Sequence, residues 1–325
     1  MTDTRYAVVA TLGPATPALE DARRLLSAGA TGFRLNTSHL GPDELRMKLD
    51  TLAPLMASVP VILDLQGSKW RVARMDPRVL APGDRIVLTL GAGGIRVPHP
   101  DFFRAAQASD GRVLLDDARI ELALLGGTDE HAEAVVIRGG QLDGRKGVTL
   151  PGATYRAEQL TDEDRRVVEA AAGLEGVRLA VSYVRDAPEM ERYRAILPPG
   201  RRVIAKLERP TAMDQAADIA RHCDELWVCR GDLGAEMGME AMAAAVARVG
   251  ALLPRIEGPV LMAGQVLEHM TRSPTPTRSE VCHLHDLAAS GWAGVVLSDE
   301  TAVGSHPVEA VRTASLFRDS GTAIP

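Results

Sequence analysis

Residues 61–71 read VILDLQGSKWR. From Val61 to Leu65 the run is apolar except for Asp64, and the chain then presents two cations, Lys69 and Arg71. A short, continuous apolar run of this kind fits a strand buried on both faces, the habit of parallel sheets covered by helices. YAVVATLG (6–13) and TGFRLNTS (31–38) read the same way, with amphipathic helical patterns around 17–28 and 43–57 between the runs. The rhythm breaks from about Met75 to Gly147, where LAPGDRIVLTL, GGIRVP, GRVLLDDARIELALL and EAVVIRGG are short strands joined by Gly and Pro turns. It then resumes at LTDEDRRVVEAAAG (160–173), which has a Thr N-cap and acids in the first turn. The strands VRLAVSYV, RVIAKLE, ELWVCRGDLG, GPVLMAGQ and AGVVLSDE follow, each with a helical candidate behind it. Three strands before the break and five after it make eight βα units, the pattern of an α/β TIM barrel. The expected organisation is barrel over 1–72, a small inserted all-β lid after strand three over 73–147, and barrel again over 148–325.

Composition bounds the chemistry. The 325 residues are 46% hydrophobic and 25% charged but only 3% aromatic, so Ala, Val and Leu must fill a sizeable core. A net charge of -6 argues against nucleic acid or an anionic membrane as partner, and any bound anion needs a local basic site. Cys223, Cys229 and Cys282 lack zinc spacing, and an odd count suggests reduced thiols and a cytoplasmic protein. The amino terminus has no signal-peptide pattern, and no apolar stretch approaches the about eighteen residues of a membrane span. His283 and His285 are two apart in a helical stretch, on different faces, so no shared metal is expected. Trp70, Trp227 and Trp292 read as packing groups.

In a barrel of this class the chemistry sits at the carboxyl ends of the strands. Those ends carry Arg34, Asn36, Ser38 and His39 on strand two, Asp64 on strand three, and Ser182 and Arg185 on strand four. Strand five carries Lys206 and Glu208, strand six Arg230 and Asp232, and strand eight Ser298 and Glu300. Glu208 and Asp232 are hard oxygen donors from adjacent strands, the usual protein share of a Mg²⁺ site. Arg34 and Lys206 can hold and neutralise a phosphoryl group, and Gly231 lets main-chain N–H groups approach an anion. These are parts for phosphoryl transfer by positioning and charge stabilisation.

The motifs TLGPAT, FRLNTSHL, LLDDARI, GGQLDGRKGVTLPG, LTDEDRRVV, IAKLERP, CRGDLGAEMG, SPTPTRSEV and LSDETAVGSHPVEAV, in this order and spacing, resemble the pyruvate kinase family across nearly the whole chain. The resemblance implies a TIM barrel with an inserted β-domain, here without the family's carboxyl-terminal domain. It implies transfer of phosphoryl from phosphoenolpyruvate, or a related enol phosphate, to ADP, with Mg²⁺ (or Mn²⁺) as cofactor. Carried over by motif, Lys206, Arg34 and Ser298 are the catalytic residues; Arg34, Lys206, Gly231, Asp232 and Gly264 bind substrate; Glu208 and Asp232 hold Mg²⁺. Asn36, His39, Arg71, Asp117 and Lys146 are expected near ADP or ATP. Its partners are small-molecule substrates, and a homo-oligomer is expected.

The departures carry information as well. Gly264 replaces a family threonine that contacts the substrate carboxylate and assists enolate protonation, and Ala118 and Leu40 replace glycines. In the family, Asn36, Ser38 and Asp64 would coordinate K⁺ together with a threonine and a glutamate, which here are Leu65 and Lys69. The Lys69 ammonium is expected to stand in for that ion, so K⁺ should not be required. Two other readings use the same parts: a metal-dependent lyase or aldolase acting on a 2-oxo acid, and a non-catalytic phosphoenolpyruvate-binding protein. The nucleotide-side residues His39, Asp117 and Lys146 disfavour the first, and retention of Lys206, Glu208 and Asp232 disfavours the second.

Overall fold

A computed structural model of the chain describes residues 6–116, 118–153 and 160–318. Eight parallel strands close into a barrel: β1 (Ala7–Leu12), β2 (Gly32–Asn36), β3 (Val61–Leu65), β4 (Val177–Val181), β5 (Val203–Leu207), β6 (Glu225–Cys229), β7 (Val260–Ala263) and β8 (Gly294–Leu297). Each pairs with its neighbours in sequence, and β8 pairs back onto β1 through Ala7 opposite Gly294. β3 and β4 pair directly, Asp64 opposite Ala180, although 111 residues separate Leu65 from Val177.

Alternation along the strands divides inside from outside. Val9, Ile62, Ala180, Ile204, Trp227, Leu261 and Val296 meet in one buried cluster inside the barrel. Trp227 is wholly buried there and donates Nε1–H to Glu225 Oε1 at 2.6 Å. One step of two residues along β3, β4 and β5 leads from Ile62, Ala180 and Ile204 to Asp64, Ser182 and Lys206. The interior is thus apolar in the middle and ionic at the carboxyl ends.

Helix ends follow local chemistry. Helix Leu19–Ala28 stops at Gly29, whose φ of 118° suits glycine. Thr161 caps Asp162–Ala170 by accepting from Asp164 N, and Thr277 forms a capping box with Glu280 ahead of Arg278–Ala289. Among the described residues no helix is long and apolar enough to cross a membrane.

The chain forms two compact units, one of residues 1–67, 158–230 and 243–325 and the other of 68–157 and 231–242. The expected 73–147 insertion lies within the second. That unit holds a six-stranded sheet and a two-stranded one, but it is not all-β. Residues 100–107 form a helix with Pro100 at its start, Phe102 and Phe103 buried, and Phe102 edge-on to Trp70 at 5.4 Å between ring centroids. At eight residues this helix is too short to stand out by its period among the strands.

Candidate active site

In the barrel unit the ionic cluster centres on Asp64. Arg34, on β2, directs Nε and Nη2 to Asp64 Oδ2 at 2.7 and 2.6 Å. Lys206, on β5, places Nζ 3.1 and 3.0 Å from the two Asp64 oxygens, 2.9 Å from Ser182 Oγ and 3.0 Å from Glu208 Oε1. Ser182 accepts from Lys206 and donates to Asp64 Oδ1 at 3.0 Å, which closes a ring of partners. Thr11, at the end of β1, accepts from Arg34 Nη1 and donates to the Leu297 carbonyl of β8. Six strands, β1 to β5 and β8, therefore fix one small group of charges.

The cluster holds its charge state firmly. Burial alone would raise the Asp64 carboxyl, but the Lys206 ammonium and Arg34 guanidinium outweigh it and hold Asp64 well below the usual carboxylate range. Burial alone would lower Lys206; Asp64 and Glu208 reverse that and push it up, so it stays an ammonium at any working pH. Arg34 is likewise raised, burial opposing and Asp64 prevailing. Lys206 is therefore held as a fixed positive charge.

Two backbone devices aim these groups. Tyr183 sits at φ 61° just past β4, which turns its N–H onto Glu208 Oε2 at 2.7 Å. A non-glycine residue there costs about 1–3 kcal/mol and marks a functional turn. Past β3, Gly67 sits at φ 59°, and a Cβ on it would lie 2.1 Å from the Ser182 carbonyl oxygen, so no side chain fits. The amides of Gln66 and Gly67 donate to Asp164 Oδ1 and Oδ2 at 2.8 and 3.1 Å. Asp164 is buried, and burial pushes its carboxyl up to about 6 against the pull of those hydrogen bonds.

At β6 to β8 a second network forms. Arg230 donates Nε and Nη2 to the Gly264 carbonyl at 2.9 and 2.6 Å, Nη2 also to the Gln265 carbonyl at 3.0 Å, and meets His283 Nε2 through Nη1 at 2.9 Å. Gly264 lies at φ 85° and Gln265 at φ 52°. Position 264 is therefore more than a threonine without its hydroxyl, because its backbone is one that glycine adopts without strain. Buried Glu300 accepts from Leu267 N and Ser298 N at 3.0 and 2.7 Å and so ties the β8 end to the same turn.

In the second unit, Lys69 Nζ lies 2.6 Å from Asp232 Oδ1. Lys69 was expected to substitute for an ion beside Asp64; its ammonium is salt-bridged to the candidate Mg²⁺ ligand Asp232, while Asp64 takes positive charge from Arg34 and Lys206. Gly147 lets the Lys69 stem pass, since a Cβ there would meet Lys69 Cε at 2.6 Å. Lys146 pairs with Asp116 at 2.8 Å, and Arg71 donates to the Arg145 carbonyl at 2.9 Å. Ala118, where the resemblance led one to expect glycine, has φ 64°.

The structure thus brings together Arg34, Asp64, Lys206 and Glu208 in the barrel, and Lys69 with Asp232 in the other unit. Asn36 accepts from Ser38 N at 3.3 Å, and Gly231 and Asp232 open the helix Arg230–Met237. The His39 side chain and Asp117 lie outside the described residues. Among the described residues no three His, Cys, Asp or Glu side chains form a metal-ligating group. Sequence reading passed over Thr11, Tyr183 and Asp164, and considered His283 only as a metal ligand shared with His285, which it set aside. Thr11 carried a signal, a polar residue at the end of an apolar strand; Asp164 looked like an ordinary first-turn acid, and the turn at Tyr183 has no sequence signature.

The sequence of the chain has matches among known proteins. The family described as pyruvate kinase, barrel domain, matches residues 3–311. Pyruvate kinase from Methylorubrum extorquens is 34% identical over 320 residues, covering 95% of this chain and 67% of that protein. One from Agrobacterium vitis is 35% identical over 322 residues, covering 94% and 66%, and one from Mycobacterium tuberculosis is 32% identical over 339 residues, covering 99% and 72%. The chain spans about two thirds of the length of the first two. With that family matched along nearly all its length, and a lysine held between carboxylates at the barrel mouth, the chain belongs to the pyruvate kinase family of phosphotransferases.

Proposed function

We propose that the protein transfers the phosphoryl group of phosphoenolpyruvate, or a closely related enol phosphate, to ADP, giving ATP and pyruvate, with Mg²⁺ required and K⁺ dispensable. The observation that carries this reading is the Lys206 ammonium, buried between Asp64 and Glu208 beside the Arg34 guanidinium. Two fixed cations suit a loose, metaphosphate-like transition state, whose charge spreads over the equatorial oxygens and needs stabilisation more than covalent help. Arg34 holds the phosphoryl oxygens, and Lys206, fixed in place, stabilises the charge that develops on them.

The donor chemistry fits Mg²⁺: Glu208 and Asp232 offer hard oxygens in too small a number to cage an ion alone, which leaves positions for substrate and water. When bound, the ion neutralises charge on the substrate's oxygens. Amides at Gly231 and Asp232 receive the substrate carboxylate. Asn36, His39, Arg71, Asp117 and Lys146 serve the nucleotide. Ser298, whose N–H is anchored on Glu300, is the hydroxyl left to assist proton delivery to the enolate carbon, because Lys206 is too strongly held as a cation to do so.

Purified protein with phosphoenolpyruvate, ADP and Mg²⁺, assayed separately for ATP and pyruvate, tests the proposal. ATP formation is expected, and Lys206→Met should abolish it while the far-UV circular dichroism stays native. No ATP with either Mg²⁺ or Mn²⁺ would overturn the reading. Replacing KCl by a bulky organic cation at equal ionic strength should leave the rate unchanged, since Leu65 and Lys69 stand where the resemblance places two of the K⁺ ligands; a large stimulation by K⁺ would overturn that part of the proposal.

A further inference from the structure

We infer that His283 is a positioning residue, a neutral imidazole that holds Arg230 so that Arg230 can clamp the turn after β7. The inference rests on the proposed function, with Gly264 taken as the substrate-binding position that the family resemblance implies. A guanidinium has no acceptor, so in the 2.9 Å contact Arg230 Nη1 must donate and His283 Nε2 must accept with its lone pair. His283 therefore carries its proton on Nδ1. Burial, and next the Arg230 charge, lower the His283 pKa from the ordinary imidazole value, which favours the neutral ring.

What Arg230 does with its other N–H groups gives the contact its meaning. Nε and Nη2 converge on the Gly264 carbonyl, and Nη2 reaches the Gln265 carbonyl as well. Both residues have positive φ, and for Gln265 that backbone is strained. A strained turn persists only where its surroundings over-determine it, and here three hydrogen bonds from one guanidinium do so. The charged groups acting on the pair are Asp286 on His283, from the same helix, and Glu300 on Arg230, from the end of β8.

Leucine at 283 removes the acceptor at similar volume, whereas asparagine can still accept through Oδ1. His283→Leu should raise KM for phosphoenolpyruvate by about tenfold with little change in kcat, because the turn holds a carboxylate that is bound alike in ground and transition states. His283→Asn should restore KM. In the wild type KM should climb as pH falls through the lowered imidazole titration, where Nε2 gains a proton and opposes Arg230; His283→Asn should lack that limb. Hydrogen–deuterium exchange gives a readout free of turnover: amides of 264–270 should exchange faster in His283→Leu than in the wild type or His283→Asn. Equal exchange and equal KM in His283→Leu and wild type would overturn the inference. If His283→Leu does not fold, a wild-type pH limb in exchange that persists in His283→Asn would overturn it. A wild type that makes no ATP sinks the proposed reaction, and the exchange result still decides the role of His283.

Discussion

Asp64 carries more of the site than its modest place in the sequence suggests. It is a carboxylate shared by two cations, and its removal would leave Arg34 and Lys206 facing each other with Glu208 alone to offset them. Asp64→Asn should therefore cost about 3–5 kcal/mol in urea unfolding at neutral pH. The pH course follows from the sign of the shift. A depressed folded pKa contributes stability that is present above the unfolded value of 3.8 and lost as pH falls through the lower folded one. The gap between wild type and Asp64→Asn should thus be constant from neutral pH down to about 5 and shrink in strong acid. A second residue test concerns Gly264. Restoring the family threonine there forces a β-branched side chain to φ 85°, so Gly264→Thr should lose about 1–3 kcal/mol in thermal melts and gain no rate of pyruvate formation. At this scale the sequence was readable for charge type and strand position, which found Arg34, Asp64, Lys206 and Glu208. It was silent on partners, and so grouped Lys69 with Asp64 rather than with Asp232.

The strand ends are shaped by elements that never touch the chemistry. Asp164 belongs to the helix after the inserted segment, yet its two oxygens receive the Gln66 and Gly67 amides and so fix how β3 leaves the barrel. An asparagine would present an N–H to one of those amides. Asp164→Asn should lose about 1–3 kcal/mol and lower ATP formation by displacing Gly67 against the Ser182 carbonyl. Here the raised pKa reverses the sign seen for Asp64. Between 3.8 and about 6 the folded protein keeps a proton that the unfolded chain has released. The contribution of Asp164 is then fullest below 3.8 and falls as pH rises through about 6. The advantage of wild type over Asp164→Asn in melts should shrink across that window; an advantage that grows with pH would contradict the burial argument. A helix-cap reading explained Asp164 locally and stopped there, because a contact across 98 residues leaves no trace in periodicity.

At the scale of the molecule, the barrel was legible because its eight strands are short, largely apolar runs, six of which lead into polar residues, and its closure through Ala7 and Gly294 follows from their number. The second unit was legible as an interruption but not in its make-up, since a helix of eight residues with paired phenylalanines does not announce itself. The interruption also has a clean neck. Residues 70–72 and 146–148 already run antiparallel, Val72 N donating to Lys146 O and Val148 N to Trp70 O, both at 2.9 Å. Replacing 73–145 by an Asn-Gly turn should complete a hairpin there. Because β3 and β4 pair directly, that variant should keep the barrel's circular dichroism and a cooperative melt while losing ATP formation. Aggregation with no cooperative melt would show that the barrel depends on the excised residues to fold. The scarcity of aromatic side chains has one last consequence. The emission of this protein comes from three indoles, Trp227 and Trp292 in the barrel unit and Trp70 in the other. Each unit has its own optical reporter, and phenylalanine at 70, or at 227 and 292 together, would let the unfolding of one be watched in the silence of the other.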